Sequence, residues 1–202
     1  MPGPSLLAVL ALAGWGPGAC GAPAPVPAAS LPHPPCTAVE GSLPAGARAD
    51  GLEGEFRLTL VATRGARTGG STSGTLHLRR NDVGAGPAAA EGVRYPLYGG
   101  AELSLDSVGA VAPGDIGSTA AARPGVLVIE WRRAGQPADR DEIILRFGTE
   151  ANAEGPQRFD GAHLSLFPAT LTAGRFAGRW DSGTGQQQAS GHFCAERVAA
   201  AG

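Results

Sequence analysis

Between residues 54 and 65 the chain alternates apolar and polar side chains with a period of two. Phe56, Leu58 and Leu60 fall on one face of an extended chain, while Arg57 and Thr59 fall on the other. Because successive side chains of a strand point to opposite sides of a sheet, this pattern predicts a β-strand with one buried face. The Gly- and Ser-rich residues 69–74 that follow are typical of a flexible turn.

The same alternation recurs along the chain. The further strand candidates are TLHLRR, VRYPLYG, AELSLDS, GVLVIEWRR, DEIILRFG, AHLSLFPATL, GRFAGRWDSG and SGHFCAERV. Pro96 and Pro168 cannot donate to a strand ladder, so we expect them at strand ends, edges or bulges. A single helical turn, at residues 119–123, is the only helix candidate. Eight or nine short strands with Gly-rich turns predict an all-β domain, either one antiparallel barrel or a sandwich.

The N-terminal region differs from this body. LLAVLALAGW, residues 6–15, has the length of a signal-peptide core and is too short to span a membrane. GPGAC follows and ends at Cys20. A small residue before a cysteine, just after an apolar core, resembles the lipobox of bacterial lipoproteins. That resemblance implies that Cys20 becomes a lipid-carrying N-terminus.

The match to the lipobox has two departures. Pro17 stands where that family usually has an aliphatic residue, and no Lys or Arg precedes the apolar core. Two alternatives therefore stay open: ordinary cleavage after Ala19 or Ala22, and a Cys20 that pairs elsewhere. We expect a signal peptide over residues 1–19, a Pro- and Ala-rich tether over residues 20–35 that favours extended polyproline geometry, and a folded domain over residues 36–202.

Cys36 and Cys194 bracket almost everything that the pattern predicts to be folded. An exported chain meets an oxidising compartment, so this pair is predicted to form a disulfide. A bridge requires the two α-carbons to lie about 5.5 Å apart, which makes the first and last parts of the domain neighbours. Barrel closure meets that requirement directly and also removes open strand edges. The pair therefore favours an up-and-down barrel over a sandwich.

One short segment supports a particular kind of barrel. GRFAGRWDSG places Gly178 two residues before Trp180 and is similar in composition to the Gly-x-Trp strand of calycin barrels such as lipocalins and avidins. In lipocalins that element opens the barrel, whereas Trp180 lies near the end of this chain. The resemblance covers about ten residues and implies a calycin-like barrel without assigning a family.

Candidate chemistry is sparse. No zinc-ligand spacing, nucleophile elbow or EF-hand spacing occurs, so no catalytic residue, metal site or cofactor is predicted. Glu130 and Trp131 end an apolar strand, a position that glycosidases use for carboxylates, although an ion pair across the ladder is the simpler interpretation of Glu130. The candidate residues for a cavity or barrel mouth are His77, His163, Glu130, Trp131, Asp106 and Asp115.

The formal net charge of −2 and the isoelectric point near 6.1 do not indicate a basic surface for binding nucleic acid. We expect an exported, lipid-anchored bacterial envelope barrel, facing the periplasm or secreted, whose only membrane contact is the anchor. It would bind a small apolar or amphipathic ligand, or another envelope protein across its mouth. The alternatives are a structural or assembly role without a small ligand, and an unrecognised hydrolase. An interior filled by side chains would argue against ligand storage inside the barrel.

Overall fold

Eight antiparallel strands close into a barrel in the computed structural model, which describes residues 35–82, 92–110, 125–132, 142–148, 164–184 and 187–199. Each strand pairs with its neighbours in the sequence, and the last strand pairs with the first. The strands are β1 (Gly54–Arg64), β2 (Ser71–Arg80), β3 (Val93–Glu102), β4 (Gly125–Trp131), β5 (Glu142–Gly148), β6 (Leu164–Thr172), β7 (Arg175–Thr184) and β8 (Gln187–Arg197). The predicted up-and-down barrel is confirmed, and the sandwich alternative is wrong.

Several of the sequence-based expectations concern residues that the structure does not describe. The signal peptide, residues 20–34 of the tether, the helical turn at 119–123, Asp115 and His163 lie outside the described residues. Among the residues that the structure describes, none forms a helix long and apolar enough to cross a membrane.

The barrel has eight strands, the lower of the two numbers that the sequence predicts. VRYPLYG and the start of AELSLDS belong to the single strand β3, and Asp106–Val108 forms a 3₁₀ turn instead of a further strand. Both prolines interrupt pairing as expected. The register shifts between Arg94 and Leu97 on β3, around Pro96, and again at Pro168 on β6. These bulges occur because proline has no N–H for the ladder.

The interior of the barrel is filled with apolar side chains from all eight strands. The inward-facing residues that are at most 2% exposed include Phe56, Leu58, Leu60, Leu76, Leu78, Leu97, Val126, Val128, Leu145, Phe147, Leu164, Leu166, Phe176, Trp180, Phe193 and Ala195. They form one contiguous cluster, in which the Phe176 ring centroid lies 5.0 Å from that of Phe56 and 5.8 Å from that of Phe193. An eight-stranded barrel is just wide enough for side chains to fill it.

Both ends of this core are covered by short 3₁₀ turns. Ala49–Leu52 precedes β1 and buries Ala49 and Leu52 at the end where β4 finishes and β5 begins. Asp106–Val108 follows β3 and buries Val108 at the opposite end. The apolar cluster therefore continues into both turns, so the described interior is a packed core.

A covalent link joins the start of the described chain to its last strand. Cys36 and Cys194 form a disulfide with α-carbons 5.6 Å apart, which confirms the predicted pair. On the same outer face of β8, the Nε2–H of His192 donates to the carbonyl oxygen of Cys36 at 3.1 Å. We call residues 36–47 the strap, because this segment leads from the disulfide to the turn that precedes β1. Leu43 and Ala47 of the strap pack against the core.

Gly191 shows how closely the first, seventh and eighth strands approach. The Nε1–H of Trp180 donates to the Val61 carbonyl at 3.1 Å, and a β-carbon on Gly191 would clash with both atoms. We expect Gly191→Ala to lower the free energy of unfolding by about 1–3 kcal/mol, because the indole must move from a packed position.

Thermal denaturation followed by circular dichroism would measure this loss. Gly174→Ala is the matched control, since a β-carbon there would meet no atom within 4 Å. It should change stability by about 0.5 kcal/mol or less. Equal effects at the two glycines would contradict the crowding at Gly191.

Candidate functional site

The structure separates the predicted mouth residues into three places. Glu130 and Trp131 lie at the end of β4, next to the 3₁₀ turn Ala49–Leu52. His77 lies on the outer face of β2, where its Nδ1 is 3.6 Å from Oε2 of Glu55 and both side chains are about half exposed. Asp106 begins the 3₁₀ turn at the opposite end. Of the candidate residues that the structure describes, only Glu130 and Trp131, which are neighbours in the sequence, lie in the same place.

Glu130 occupies the last inward position of β4. Val126 and Val128 precede it with a period of two, and both are buried in the core. An inward carboxylate at this position needs partners, since an unpaired buried charge is costly. Its Oε1 accepts a hydrogen bond of 2.9 Å from the backbone N–H of Ala49. That N–H opens a 3₁₀ turn whose N-cap residue, Arg48, supplies no side-chain cap, so Glu130 takes this role.

Two arginines flank the other carboxylate oxygen. Oε2 of Glu130 lies 3.8 Å from an Nη1 atom on Arg48 and 3.9 Å from the Nη1 of Arg94. Arg94 is the register partner of Glu130 across the β3–β4 ladder, so the ion-pair interpretation of Glu130 is confirmed. The carboxylate is 15% exposed, whereas the two guanidiniums are about half exposed. Glu130 therefore holds two guanidiniums at the barrel end without burying them.

These residues line a pocket of about 490 Å³, which we call the rim pocket. Its lining residues are Gly46, Ala47, Arg48, Gly92, Arg94, Glu130, Trp131, Arg132, Glu142 and Ile143. The volume falls in the range of small-molecule sites, roughly 300–1,000 Å³. Trp131 and Ile143 supply apolar surface, and the strap contributes Ala47. The rim pocket therefore contains both cationic hydrogen-bond donors and apolar surface.

Sequence reasoning missed most of this lining. Arg94 reaches Glu130 across the β3–β4 ladder, and Arg48 reaches it from the segment before β1, and neither contact follows from the local pattern of residues around Glu130. Among the described lining residues, three arginines and two glutamates sum to a formal charge of +1. Within the described ranges, no group of three or more His, Cys, Asp or Glu residues is arranged to hold a metal ion.

The two carboxylates of the rim pocket do not form a matched pair. Glu130 faces inward on β4, whereas Glu142 stands opposite the outward-facing Trp131 in the β4–β5 register and so lies on the other face of the sheet. Both oxygens of Glu130 are already engaged by Ala49, Arg48 and Arg94. The pocket is therefore better suited to holding a ligand than to cutting a glycosidic bond.

A second depression, of about 470 Å³, lies on the outer face of β6, β7 and β8 beside the strap. One of its two arginines, Arg179, stacks 3.9 Å over the Phe167 ring and also bonds the carboxylate of Asp181. The charge and the aromatic face that a ligand would use already contact each other there. The rim pocket is consequently the stronger candidate site.

Comparison with protein-family models, with curated proteins and with solved structures finds no match for this chain. Inference about function therefore rests on the geometry of the barrel and of the rim pocket.

Proposed function

We propose that this protein is an exported binding module that holds a small amphipathic ligand in the rim pocket. The observation that carries the proposal is a 490 Å³ pocket whose described lining includes three arginines and two large apolar residues, Trp131 and Ile143. Ligand sites are concave and use polar groups to fix the orientation of a bound molecule, and the rim pocket supplies charged groups beside apolar surface.

The packed core is the reason for placing the ligand at the end of the barrel. The Phe176 ring packs edge-on against the rings of Phe56 and Phe193 inside the barrel, and each of the three is at most 1% exposed. Storage of an apolar molecule among these rings would require displacing part of the core. A ligand at the rim requires no such rearrangement.

Export and lipid anchoring at Cys20 remain part of the proposal. The disulfide between Cys36 and Cys194 supports it, because such bonds persist in oxidising compartments such as the periplasm. The tether over residues 20–35 would then connect the anchor to the strap. The proposed location is the cell envelope, with the barrel facing the periplasm.

Native mass spectrometry of the protein purified gently from its own envelope tests this function. We expect a small molecule to be bound to the wild-type protein. It should be absent from the Trp131→Ala variant, because this substitution removes the largest apolar side chain of the described pocket lining. His77→Ala is the matched control, since His77 lies on the outside of β2 and should leave occupancy unchanged. An empty wild-type protein would contradict the proposal and favour a structural or partner-binding role. The same spectra would show whether a lipid is attached to Cys20.

A further inference from the structure

We infer that the rim pocket recognises an anionic head group, a carboxylate or a phosphate, through Arg48 and Arg94. This inference rests on the proposed function and names the chemical class of its ligand. The amphipathic ligand would place its charged group beside the two guanidiniums and its apolar part against Ile143, which lies on the same face of the sheet as Glu130.

The arginine geometry supports an anion. Both guanidiniums approach the same Glu130 oxygen at 3.8 and 3.9 Å, which is too long for a charge-assisted hydrogen bond of about 2.7–2.9 Å. The two arginines are thus oriented by Glu130 without hydrogen-bonding to it at this distance. Each guanidinium carries five N–H donors in a planar fork that matches a carboxylate or phosphate.

The charge balance favours the same conclusion. Glu130 offsets one of the two flanking arginines, Arg48 and Arg94. Asp50 contacts Arg48 through Nε at 3.5 Å, but both side chains are about half exposed and Asp50 does not line the pocket. An exposed pair of this kind contributes little. A cationic ligand near Glu130 would meet two guanidiniums, which would repel it.

Glu130 also positions the start of the 3₁₀ turn. Its Oε1 accepts the N–H of Ala49, and its Oε2 adds a negative charge within 3.9 Å of both Arg48 and Arg94. A neutral glutamine at this position can still accept the Ala49 hydrogen bond, but it no longer offsets the arginines. Glu130→Gln should therefore strengthen binding of an anion, whereas loss of a purely structural residue would weaken it.

Three probes with alkyl chains of nine or ten carbons separate the head groups: decanoate, decyl phosphate and decyltrimethylammonium. Isothermal titration calorimetry on the full-length protein measures each Kd. We expect the two anions to bind at least about tenfold more tightly than the cation, because each charge-assisted hydrogen bond is strong enough for such a factor. A preference between decanoate and decyl phosphate identifies the natural head group as carboxylate or phosphate.

Substitutions in the rim pocket test the roles of its individual residues in binding. Arg48→Gln with Arg94→Gln should weaken decanoate binding about tenfold or more. Glu130→Gln should tighten it about fivefold, the effect of removing one like charge near 4 Å in a water-like dielectric. Arg79→Gln, an exposed arginine on the outer face of β2, is the matched control and should leave Kd unchanged. Circular dichroism confirms that each variant is folded.

The outcomes distinguish this inference from the proposed function. If the cation binds as tightly as the anions and Trp131→Ala abolishes that binding, the binding module stands and anion recognition is wrong. Anion recognition is also overturned if the double arginine variant keeps its affinity, or if Glu130→Gln weakens it. If no probe binds and the protein from the envelope is empty, both proposals fail.

Discussion

Replacing both bridging cysteines, as Cys36→Ser with Cys194→Ser, is expected to lower the free energy of unfolding by roughly 5 kcal/mol. The bridge spans 158 positions of the sequence, so it restricts nearly the whole folded domain in the denatured state. A loss of this size is comparable to the total stability of many domains, about 5–15 kcal/mol. Urea unfolding monitored by tryptophan fluorescence would measure it.

Two controls accompany this measurement. Cys20→Ser should leave stability unchanged, because Cys20 is not part of the bridge. A reductant should destabilise the wild-type protein and leave the double variant unaffected. A loss below about 1 kcal/mol in the double variant would contradict the chain-entropy account and indicate a denatured state that is already restricted.

Trp180→Ala is expected to cost about 3–5 kcal/mol of stability, the range for removing a buried aromatic side chain. Trp180 is fully buried on β7, opposite Leu166 on β6 and Gly191 on β8. The substitution leaves a cavity in the core and also removes the donor to the Val61 carbonyl. Thermal and urea denaturation followed by circular dichroism would report the loss.

The matched control is Trp131→Ala at the rim, which removes the same side chain from a partly exposed position. We expect it to cost less than half as much, because little core volume is lost. Trp180→Phe should fall between the wild type and Trp180→Ala, since it keeps a ring but not the indole N–H. Similar losses at the two tryptophans would show that the core is not organised around Trp180.

Local patterns were sufficient to predict much of the fold. The alternation of Phe56, Leu58 and Leu60 identified the buried face of β1, and Pro168 marked a bulge. Cysteine pairing gave the one long-range constraint, which favoured closure of the barrel. These features are visible in the sequence because each depends on neighbouring residues or on an even pair of thiols.

At residues 69–74 the turn prediction was correct only for Gly69 and Gly70, which lie in the turn between β1 and β2. The structure places Ser71 and Gly74 within β2, where they pair with Val61 and Leu58 of β1. Gly74 is small for a different reason, because a β-carbon there would clash with the Glu102 carbonyl on β3. Glycine can mark close strand approach as well as a turn, and composition does not distinguish the two.

The candidate site was only partly predictable. Position at a strand end singled out Glu130 and Trp131, but the partner of Glu130 at Ala49 is 81 positions away. Arg48 enters the pocket because the segment before β1 crosses the barrel end, a path that no local periodicity specifies. His77 lies at a polar position of the alternating pattern in β2. Its side chain therefore points to the outside of the barrel, where it lies beside Glu55.

The link between Cys36 and Cys194 also determines what proteolysis can release. The polypeptide from one cysteine to the other is a covalent ring that contains every strand up to Cys194. A single cut in any loop of that ring opens it but leaves the two pieces attached through sulfur. Limited digestion should therefore yield a nicked protein that migrates as one species without reductant and separates into fragments only after reduction.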